Sequence, residues 1–252
     1  KYFERRLESK TLFNADVLVT VTPKFEHILK RVYGNKKVVL ITNGYDSDDY
    51  IDDQEVKLTD KFTITYTGNF YSKKIDPSLL FIAVSELIKE NKLNKHLIEI
   101  RFYSKKASWL LNDAKKYNLQ DIVNYYGYID REKILQKQKE SQILLVLLEN
   151  RNIEITYCPA KIYEYLGAKR PIIAIGGDGG YAKDILETTN AGKFAKNVTE
   201  LKDILVGYYK EFLESGKVKC QSNSNIESYT YENIAKRYSE VLNRLIANHT
   251  GT

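Results

Sequence analysis

A segment near residue 160 combines the residue types that would hold a nucleotide. Residues 158–164 follow a predicted strand and loop and read Cys-Pro-Ala-Lys-Ile-Tyr-Glu. A proline that opens a helix leaves free backbone N–H groups at the positive helix end, which suits a diphosphate. Glu164, about one and a half turns later, can accept hydrogen bonds from both vicinal hydroxyls of a ribose. The alternative is an ordinary amphipathic helix with Glu164 in water. The residues expected to contact the ligand are Pro159, Ala160, Lys161, Ile162 and Glu164.

A second candidate loop follows the apolar run Phe62–Thr67. Gly68 at the end of this predicted strand would let a ligand approach the backbone closely. Lys73 and Lys74 would then offer point charges to phosphate oxygens. We therefore expect Gly68, Asn69, Lys73 and Lys74 to contact a phosphate, with a flexible, solvated loop as the alternative.

Two further loops after predicted strands carry a weaker signal. Tyr128 and Ile129 have backbone groups that would frame a nucleobase, although such a segment is more often a plain strand-to-helix turn. Residues 176–180 hold four glycines in five positions, but glycine-rich matches arise by chance. The chain has no Walker sequence, which argues against a phosphate-loop hydrolase.

The hydrophobic pattern predicts the scaffold that would position these loops. Apolar runs alternate with amphipathic helical stretches, which indicates an α/β fold with a Rossmann-like, doubly wound parallel sheet. Several runs are continuously apolar, as strands buried on both faces are. Strands are predicted at residues 16–21, 38–41, 62–67, 97–103, 122–126, 142–148, 171–175 and 192–195. Helices are predicted ahead of the first strand and near residues 23–33, 76–88, 108–117, 130–140, 159–168, 181–187, 200–213 and 231–247.

Composition limits the classes of function. The 252 residues are 43% hydrophobic and 29% charged, which is ordinary for a soluble globular protein. The net charge of +6 is spread along the chain without a basic stripe interleaved with aromatics, so nucleic-acid binding is not expected. Cys158 and Cys220 lack a metal or redox spacing, and the histidines are scattered, so we expect reduced thiols, a cytoplasmic location and no metal site. No apolar run approaches the roughly 20 residues of a membrane span.

The organisation of the chain changes near residues 42–60. This stretch is acidic and turn-forming, and it predicts a linker. Two predicted strands precede it, too few for a domain, and a full α/β unit follows it. The sequence contains no methionine and opens on Lys1, so we expect it to be part of a longer protein.

Taken together, the motifs resemble those of the GT-B glycosyltransferases, in particular family 4 (group 1). Residues 15–22 resemble the last strand region of the amino-terminal domain, and residues 38–46 resemble the interdomain crossover. Tyr66-Thr67-Gly68 followed by Lys74 is similar to the phosphate-contacting loop of that family. The most specific match is residues 161–166 followed by Arg170-Pro171-Ile172, which resemble the nucleotide-binding helix.

Two positions depart from that family. Asn69 stands where an arginine is common. Glu164 matches the second of two glutamates that are often eight positions apart, whereas Thr156 occupies the place of the first. Because the first glutamate contacts the donor sugar in many members, the donor and the stereochemical outcome stay open.

The resemblance implies a division of the chain and an activity. Residues 1–45 would be a remnant of the amino-terminal, acceptor-binding domain with the crossover, and residues 46–60 a linker. Residues 61–228 would bind the nucleotide sugar, and residues 229–252 would form a helix that crosses back, with a tail. The enzyme would be a hexosyltransferase that transfers a sugar from a nucleotide-diphosphate sugar, without a cofactor or bound metal. Lys74 and Glu164 would act at the reacting centre by stabilising the leaving diphosphate and holding the donor.

The resemblance also implies partners and a setting. The partners would be a nucleotide sugar and an acceptor that the sequence does not identify, with peripheral contact to the inner face of a membrane through the full-length protein. The pathway would be bacterial cell-surface polysaccharide or glycoconjugate synthesis, and this part of the protein alone would be inactive. The alternatives are a GT-B relative such as a sugar-nucleotide epimerase, and a non-catalytic α/β module that binds a nucleotide.

Overall fold

A computed structural model of the chain describes residues 2–51, 56–70, 75–105, 107, 109–149 and 158–250. The strands are β1 Val17–Thr20, β2 Lys37–Leu40, β3 Phe62–Thr67, β4 Ile98–Tyr103, β5 Val123–Gly127, β6 Ile143–Leu147, β7 Ile172–Ile175 and β8 Gly192–Ala195. The helices are α1 Tyr2–Asn14, α2 Pro23–Val32, α3 Ser78–Lys89, α4 Trp109–Lys116, α5 Arg131–Lys139, α6 Lys161–Gly167, α7 Gly180–Thr189, α8 Val198–Ser215 and α9 Tyr231–Thr250.

Strands β3 to β8 form one parallel sheet in the order β5-β4-β3-β6-β7-β8. The chain winds outward from β3 through β4 and β5, and then returns to place β6, β7 and β8 on the other side. The strand order therefore reverses between β3 and β6. This topology confirms the predicted doubly wound, Rossmann-like sheet.

The sheet is buried between two apolar layers. On β6, Ile143, Leu145 and Leu147 belong to the layer shared with α3, α4 and α8. Leu144 and Val146 point the other way, into the layer shared with α6 and α7. Because both faces are covered, every position of such a strand is apolar, which explains the continuous runs in the sequence.

Strand β3 differs because its second face is polar. Thr63 Oγ1 accepts a hydrogen bond of 2.9 Å from the backbone N–H of Gln142, and Ser141 Oγ donates one of 2.7 Å to Thr65 Oγ1. Thr67, the next threonine on this face, ends the strand. The polar seam therefore leads along β3 to the carboxyl edge of the sheet.

The amino-terminal region forms a separate two-stranded parallel sheet of β1 and β2. Ile234 and Val241 of α9 pack with Ile41 at this sheet, together with Val17 and Val39. Two strands alone are marginal, so this contact with α9 contributes to the stability of the region. The predicted helix over residues 231–247 is confirmed. No helix in the described ranges combines the length and hydropathy that crossing a membrane requires.

Two helices start later than the sequence pattern predicts. Helix α6 begins at Lys161, whereas the pattern placed its start at Pro159. Helix α3 begins at Ser78, with Pro77 just outside it, and the Asp76 carboxylate accepts a 2.9 Å hydrogen bond from the Ser78 N–H. In both cases the proline precedes the first helical residue instead of occupying it.

Candidate functional site

A cavity of about 480 Å³ opens at the carboxyl edge of the six-stranded sheet. Its walls come from the loops after β3, β4 and β5, from the start of α6, and from the segment between β2 and β3. Parallel sheets bind ligands beside the point where the strand order reverses, because neighbouring loops diverge there and leave a crevice. The volume is within the range of small-molecule sites.

Most of the residues that the sequence singles out meet at this cavity. Ile162 does not, because it is fully buried in the layer between the sheet and α6, and its side chain faces away from the cavity. Lys73 and Lys74 lie outside the described residues. The residues that line the cavity are Gly68, Asn69, Tyr128, Ile129, Pro159, Ala160, Lys161 and Glu164.

The ammonium group of Lys161 lies at the centre of this arrangement. Its Nζ is 3.5 Å from the centroid of the Tyr66 ring. A Cβ atom added to Gly68 would be 2.9 Å from the same Nζ, and the φ of +123 at Gly68 favours glycine there. Burial lowers the pKa of Lys161 to about 7, against the opposing effect of Glu164. Among the described residues, no carboxylate lies within ion-pair distance of Lys161.

The start of α6 offers less to an anion than the sequence pattern predicts. The backbone N–H groups of Ile162 and Tyr163 donate hydrogen bonds of 3.1 Å to the carbonyls of Pro159 and Ala160. The helix is seven residues long, and two of its first N–H groups already have partners. Positive charge at this place therefore comes from the Lys161 side chain more than from the helix end.

Glu164 reaches the cavity with one carboxylate oxygen already engaged. Its Oε1 accepts a hydrogen bond from the amide nitrogen of Gln138, and its Oε2 is 3.9 Å from the Arg131 guanidinium. The Glu164 carbonyl accepts a 2.7 Å hydrogen bond from the hydroxyl of Tyr50. The Glu164 side chain is 29% exposed, so the carboxylate is held by neighbours but accessible from the cavity.

A buried hydroxyl pair joins α6 to the end of β3. The Tyr165 hydroxyl accepts a 2.9 Å hydrogen bond from the Thr67 N–H and lies 3.1 Å from Thr67 Oγ1. Burial raises the pKa of Tyr165, so the phenol stays protonated and is able to donate to Thr67 Oγ1. The contact fixes the helix that carries Lys161 and Glu164 against the strand that carries Gly68.

The opposite wall of the cavity contains an aromatic ring with a cation beside it. Tyr128 is exposed, and the ammonium group of Lys105 lies 4.4 Å from the centroid of its ring. The side chain of Asn69 accepts a 3.0 Å hydrogen bond from the Lys105 N–H, which joins the loop after β3 to the loop after β4. A flat, exposed ring beside Ile129 is a suitable surface for a planar ligand group.

Sequence reasoning missed the contribution of the segment between β2 and β3. Tyr45, Asp46, Asp49 and Tyr50 line the cavity, although the sequence indicates only an acidic linker there. Asp49 pairs with Arg131, and a Cβ atom on Gly167 would overlap the Tyr50 ring. The segment is thus a wall of the site, pressed closely against α6.

The glycine-rich segment at residues 176–180 does not reach this cavity. Asp178 and Gly180 instead line a smaller depression with Thr22, Pro23 and Lys24 at the start of α2. This depression therefore lies between the start of α2 and the start of α7.

Metal binding has no candidate within the described ranges, where no three His, Cys, Asp or Glu side chains are grouped to hold an ion. Reaction without a metal stays a prediction.

Solved structures with the same architecture are glycosyltransferases. Sucrose-phosphate synthase from Thermosynechococcus elongatus matches with a TM-score of 0.70 at 15% identity, over 98% of this chain and 63% of that one. HepE from Anabaena, in complex with UDP and glucose, matches with a TM-score of 0.67 at 12% identity, over 91% of this chain and 63% of that one. The pneumococcal O-GlcNAc transferase GtfA, in complex with UDP and GlcNAc, matches with a TM-score of 0.63 at 13% identity, over 94% of this chain and 46% of that one. The chain has the GT-B fold.

The GT-B match extends over nearly the whole chain, but the chain spans only 46–63% of the length of these three structures. No protein-family model and no curated protein matches the sequence. At 12–15% identity the likeness is one of fold, and assignment to family 4 within the GT-B fold stays a prediction.

Proposed function

We propose that this chain is the donor-binding half of a glycosyltransferase that takes a nucleotide-diphosphate sugar. One observation carries the proposal: Lys161, a cation with no carboxylate partner among the described residues, and Glu164, a carboxylate with an accessible oxygen, face one cavity from the same helix. A buried charge without a partner is costly unless a ligand supplies one. A ribose diphosphate supplies an anion for Lys161 and hydroxyl donors for Glu164.

The roles of the residues follow from their chemistry. Lys161 would neutralise the diphosphate, next to the exposed backbone of Gly68, and would thereby stabilise it as the leaving group. Glu164 would accept hydrogen bonds from the ribose hydroxyls, and the base would lie against Tyr128 and Ile129. Lys74 stays a predicted second cation. UDP is the first ligand to test, since it is present in two of the matched structures.

The remaining parts of the proposal rest on the sequence resemblance. The whole protein would transfer a hexose in bacterial surface polysaccharide or glycoconjugate synthesis. The acceptor pocket would belong mainly to the amino-terminal part of the whole enzyme, so this chain alone would bind the donor without turning it over. Normal turnover by the purified chain would contradict this division.

Titration calorimetry of the chain with UDP, GDP, ADP and the free nucleosides tests the proposal. Glu164→Gln should weaken binding of the preferred diphosphate by roughly 1.5–3 kcal/mol, the range for a hydrogen bond to a charged group. Glu187→Gln is a matched control, because Glu187 is an exposed glutamate on α7 that pairs only with Lys183 among the described residues. Unchanged affinity in Glu164→Gln, or no binding of any nucleotide by the chain, would remove the proposed site.

A further inference from the structure

A buried amide stands behind Glu164. The Gln138 side chain on α5 is fully buried, and its nitrogen donates one hydrogen bond to Glu164 Oε1 and another, of 3.1 Å, to Thr67 Oγ1. Both amide hydrogens are therefore used. Thr67 Oγ1 also contacts the Tyr165 hydroxyl, so Gln138 completes a chain of contacts that joins β3, α5 and α6.

The orientation of this amide follows from the charge of its neighbour. An ionised carboxylate only accepts hydrogen bonds, so the atom facing Glu164 has to be the amide nitrogen. That choice leaves Gln138 Oε1 buried without a partner among the described residues. A buried acceptor without a partner is unfavourable, and an apolar side chain of the same shape would avoid the cost. The amide is therefore explained by what its nitrogen does for Glu164.

The two carboxylate oxygens of Glu164 have different partners. Gln138 occupies one site on Oε1, from the inside of the protein, whereas among the described residues Oε2 has only the Arg131 guanidinium, at 3.9 Å. The Arg131 side chain is 62% exposed and also pairs with Asp49, so it is a weak constraint on Glu164. Without Gln138 the carboxylate would be free to rotate about its side-chain bonds towards Arg131 and solvent.

We propose that Gln138 is a positioning residue that makes this site select ribonucleotides over their deoxy analogues. This inference rests on the proposed function, because it assumes that Glu164 accepts from the ribose hydroxyls. A fixed carboxylate loses a hydrogen bond when one hydroxyl is absent, whereas a carboxylate that rotates freely recovers it from water. Sites built around such a hydrogen bond reject the ligand that lacks it.

The test compares affinities for UDP, 2′-deoxy-UDP and 3′-deoxy-UDP by calorimetry on the whole chain. We expect the wild type to prefer UDP over at least one deoxy analogue by about 10- to 100-fold, below the largest known discrimination because Glu164 is partly exposed. Gln138→Met, which keeps the shape but not the donor, should reduce this ratio to about 3-fold or less. A ratio that stays at the wild-type value in a folded Gln138→Met protein would overturn the inference.

Gln142→Met is the matched control. Gln142 is also fully buried and bonded through its amide, but its partners are the Thr59 and Gly216 carbonyls and the Val218 N–H, away from the cavity. This variant should lose stability and keep the ratio. A loss of the ratio in Gln142→Met as well would show that the effect is structural, and would overturn the inference.

Gln138→Glu provides a second variant in case the Met protein does not fold. Two facing carboxylates share a proton near pH 5 and repel once that proton is lost, so the ratio should be present near pH 5 and fall as the pH rises above the raised pKa of the pair. The phosphates are common to the ligands compared, so their own titration cancels in the ratio. No recovery at pH 5 would count against positioning by a hydrogen bond.

The wild type separates this inference from the proposed function. If the wild type binds no nucleotide, or shows no preference for ribose, the proposed role of Glu164 fails. If the wild type discriminates and Glu164→Gln loses the ratio while Gln138→Met keeps it, only the positioning role of Gln138 fails.

Discussion

Two partly buried cations in this molecule have opposite surroundings. Arg101, in the middle of β4, donates to Glu99 at 2.7 Å and to Glu140 at 2.9 Å. Burial pushes the pKa of Glu99 upwards, but hydrogen bonds from Arg101 and Tyr126 outweigh it and hold that pKa below its ordinary value. Lys161, at the start of α6, has an aromatic ring below it and no carboxylate within ion-pair distance among the described residues.

The difference separates a cation that is paired within the fold from one that, in the function proposed above, is paired by a ligand. The protein supplies two carboxylates as counter-charges of Arg101, so the charge of that group needs no partner from outside. At the carboxyl edge of the sheet no described residue supplies a counter-charge to Lys161, and burial disfavours its charged form. Perturbed groups of the second kind are the ones that indicate a functional site.

The largest expected effect comes from replacing Arg101, the paired cation. Arg101→Met should lower the free energy of unfolding by about 3–5 kcal/mol, because it leaves Glu99 buried without its main partner. Urea denaturation measures the loss. Under conditions in which the Arg101→Met variant is folded, its preference for the nucleoside diphosphate over the nucleoside should equal that of the wild type. A selective loss of diphosphate binding would erase the distinction between the two cations.

The second prediction concerns Lys161. Lys161→Met should weaken nucleoside diphosphate binding by roughly 1.5–3 kcal/mol and leave the free nucleoside unaffected, because the ammonium group interacts with phosphate charge. Lys193→Met is the control, since Lys193 also lies over a tyrosine ring, 5.4 Å from the Tyr208 centroid, but away from the cavity. Equal losses for diphosphate and nucleoside would show that Lys161 supports the cavity without reading charge.

The third prediction is a pH dependence of affinity. With a free-state pKa of about 7, Lys161 is charged below pH 7 and has to take up a proton to bind a diphosphate above it. Affinity should therefore fall by up to about tenfold per pH unit above pH 7. Calorimetry at pH 6.5, 7.5 and 8.5 measures the fall, and Lys161→Arg, which stays charged, should flatten it. A wild-type affinity that is constant over this range would contradict the assignment.

The smallest expected effect is on stability. The folded-state pKa of Lys161, about 7, lies below its unfolded value of 10.5, so the unfolded chain binds more protons between these pH values and stability rises with pH. Lys161→Met should therefore raise the melting temperature at pH 6, by about 2–4 °C for each kcal/mol of the penalty that it removes at this size. The gain should shrink towards pH 10. A lower melting temperature at pH 6 would mean that the ammonium group stabilises the fold.

The elements of the fold were predictable because each carries its own local pattern. The continuous apolar runs of β6 and β7 indicate strands buried on both faces, and the structure places them in the centre of a doubly wound sheet. Lys161 and Glu164 were predictable for a similar reason, since both belong to one short motif. Ile162, one position along the same helix, was assigned to the site because a motif does not say which of its residues face the sheet.

The partners of Glu164 were not predictable in the same way. Gln138 lies 26 positions before it, between Lys137 and Lys139, and such a stretch reads as a solvated helix face. Its one local signal is a spacing of three from the buried Leu135. Tyr50 lies 114 positions away in a segment whose acidic, turn-forming composition indicates only a linker. Contacts of this kind depend on how distant elements meet, which periodicity does not record.

The chain crosses between its two sheets twice, and the two connecting segments are hydrogen-bonded to each other. The backbone N–H of Tyr45 donates a 2.9 Å hydrogen bond to the Tyr229 carbonyl, and the backbone carbonyl of Tyr45 accepts one of 2.9 Å from the Tyr231 N–H. Gly44 lies so close that a Cβ atom there would overlap the Tyr229 carbonyl. Two connecting segments that are hydrogen-bonded at one point form a single hinge, which permits rotation of the two sheets and resists their sliding. Because Tyr45 and Tyr231 also line the cavity, the axis of any such rotation passes beside the cavity.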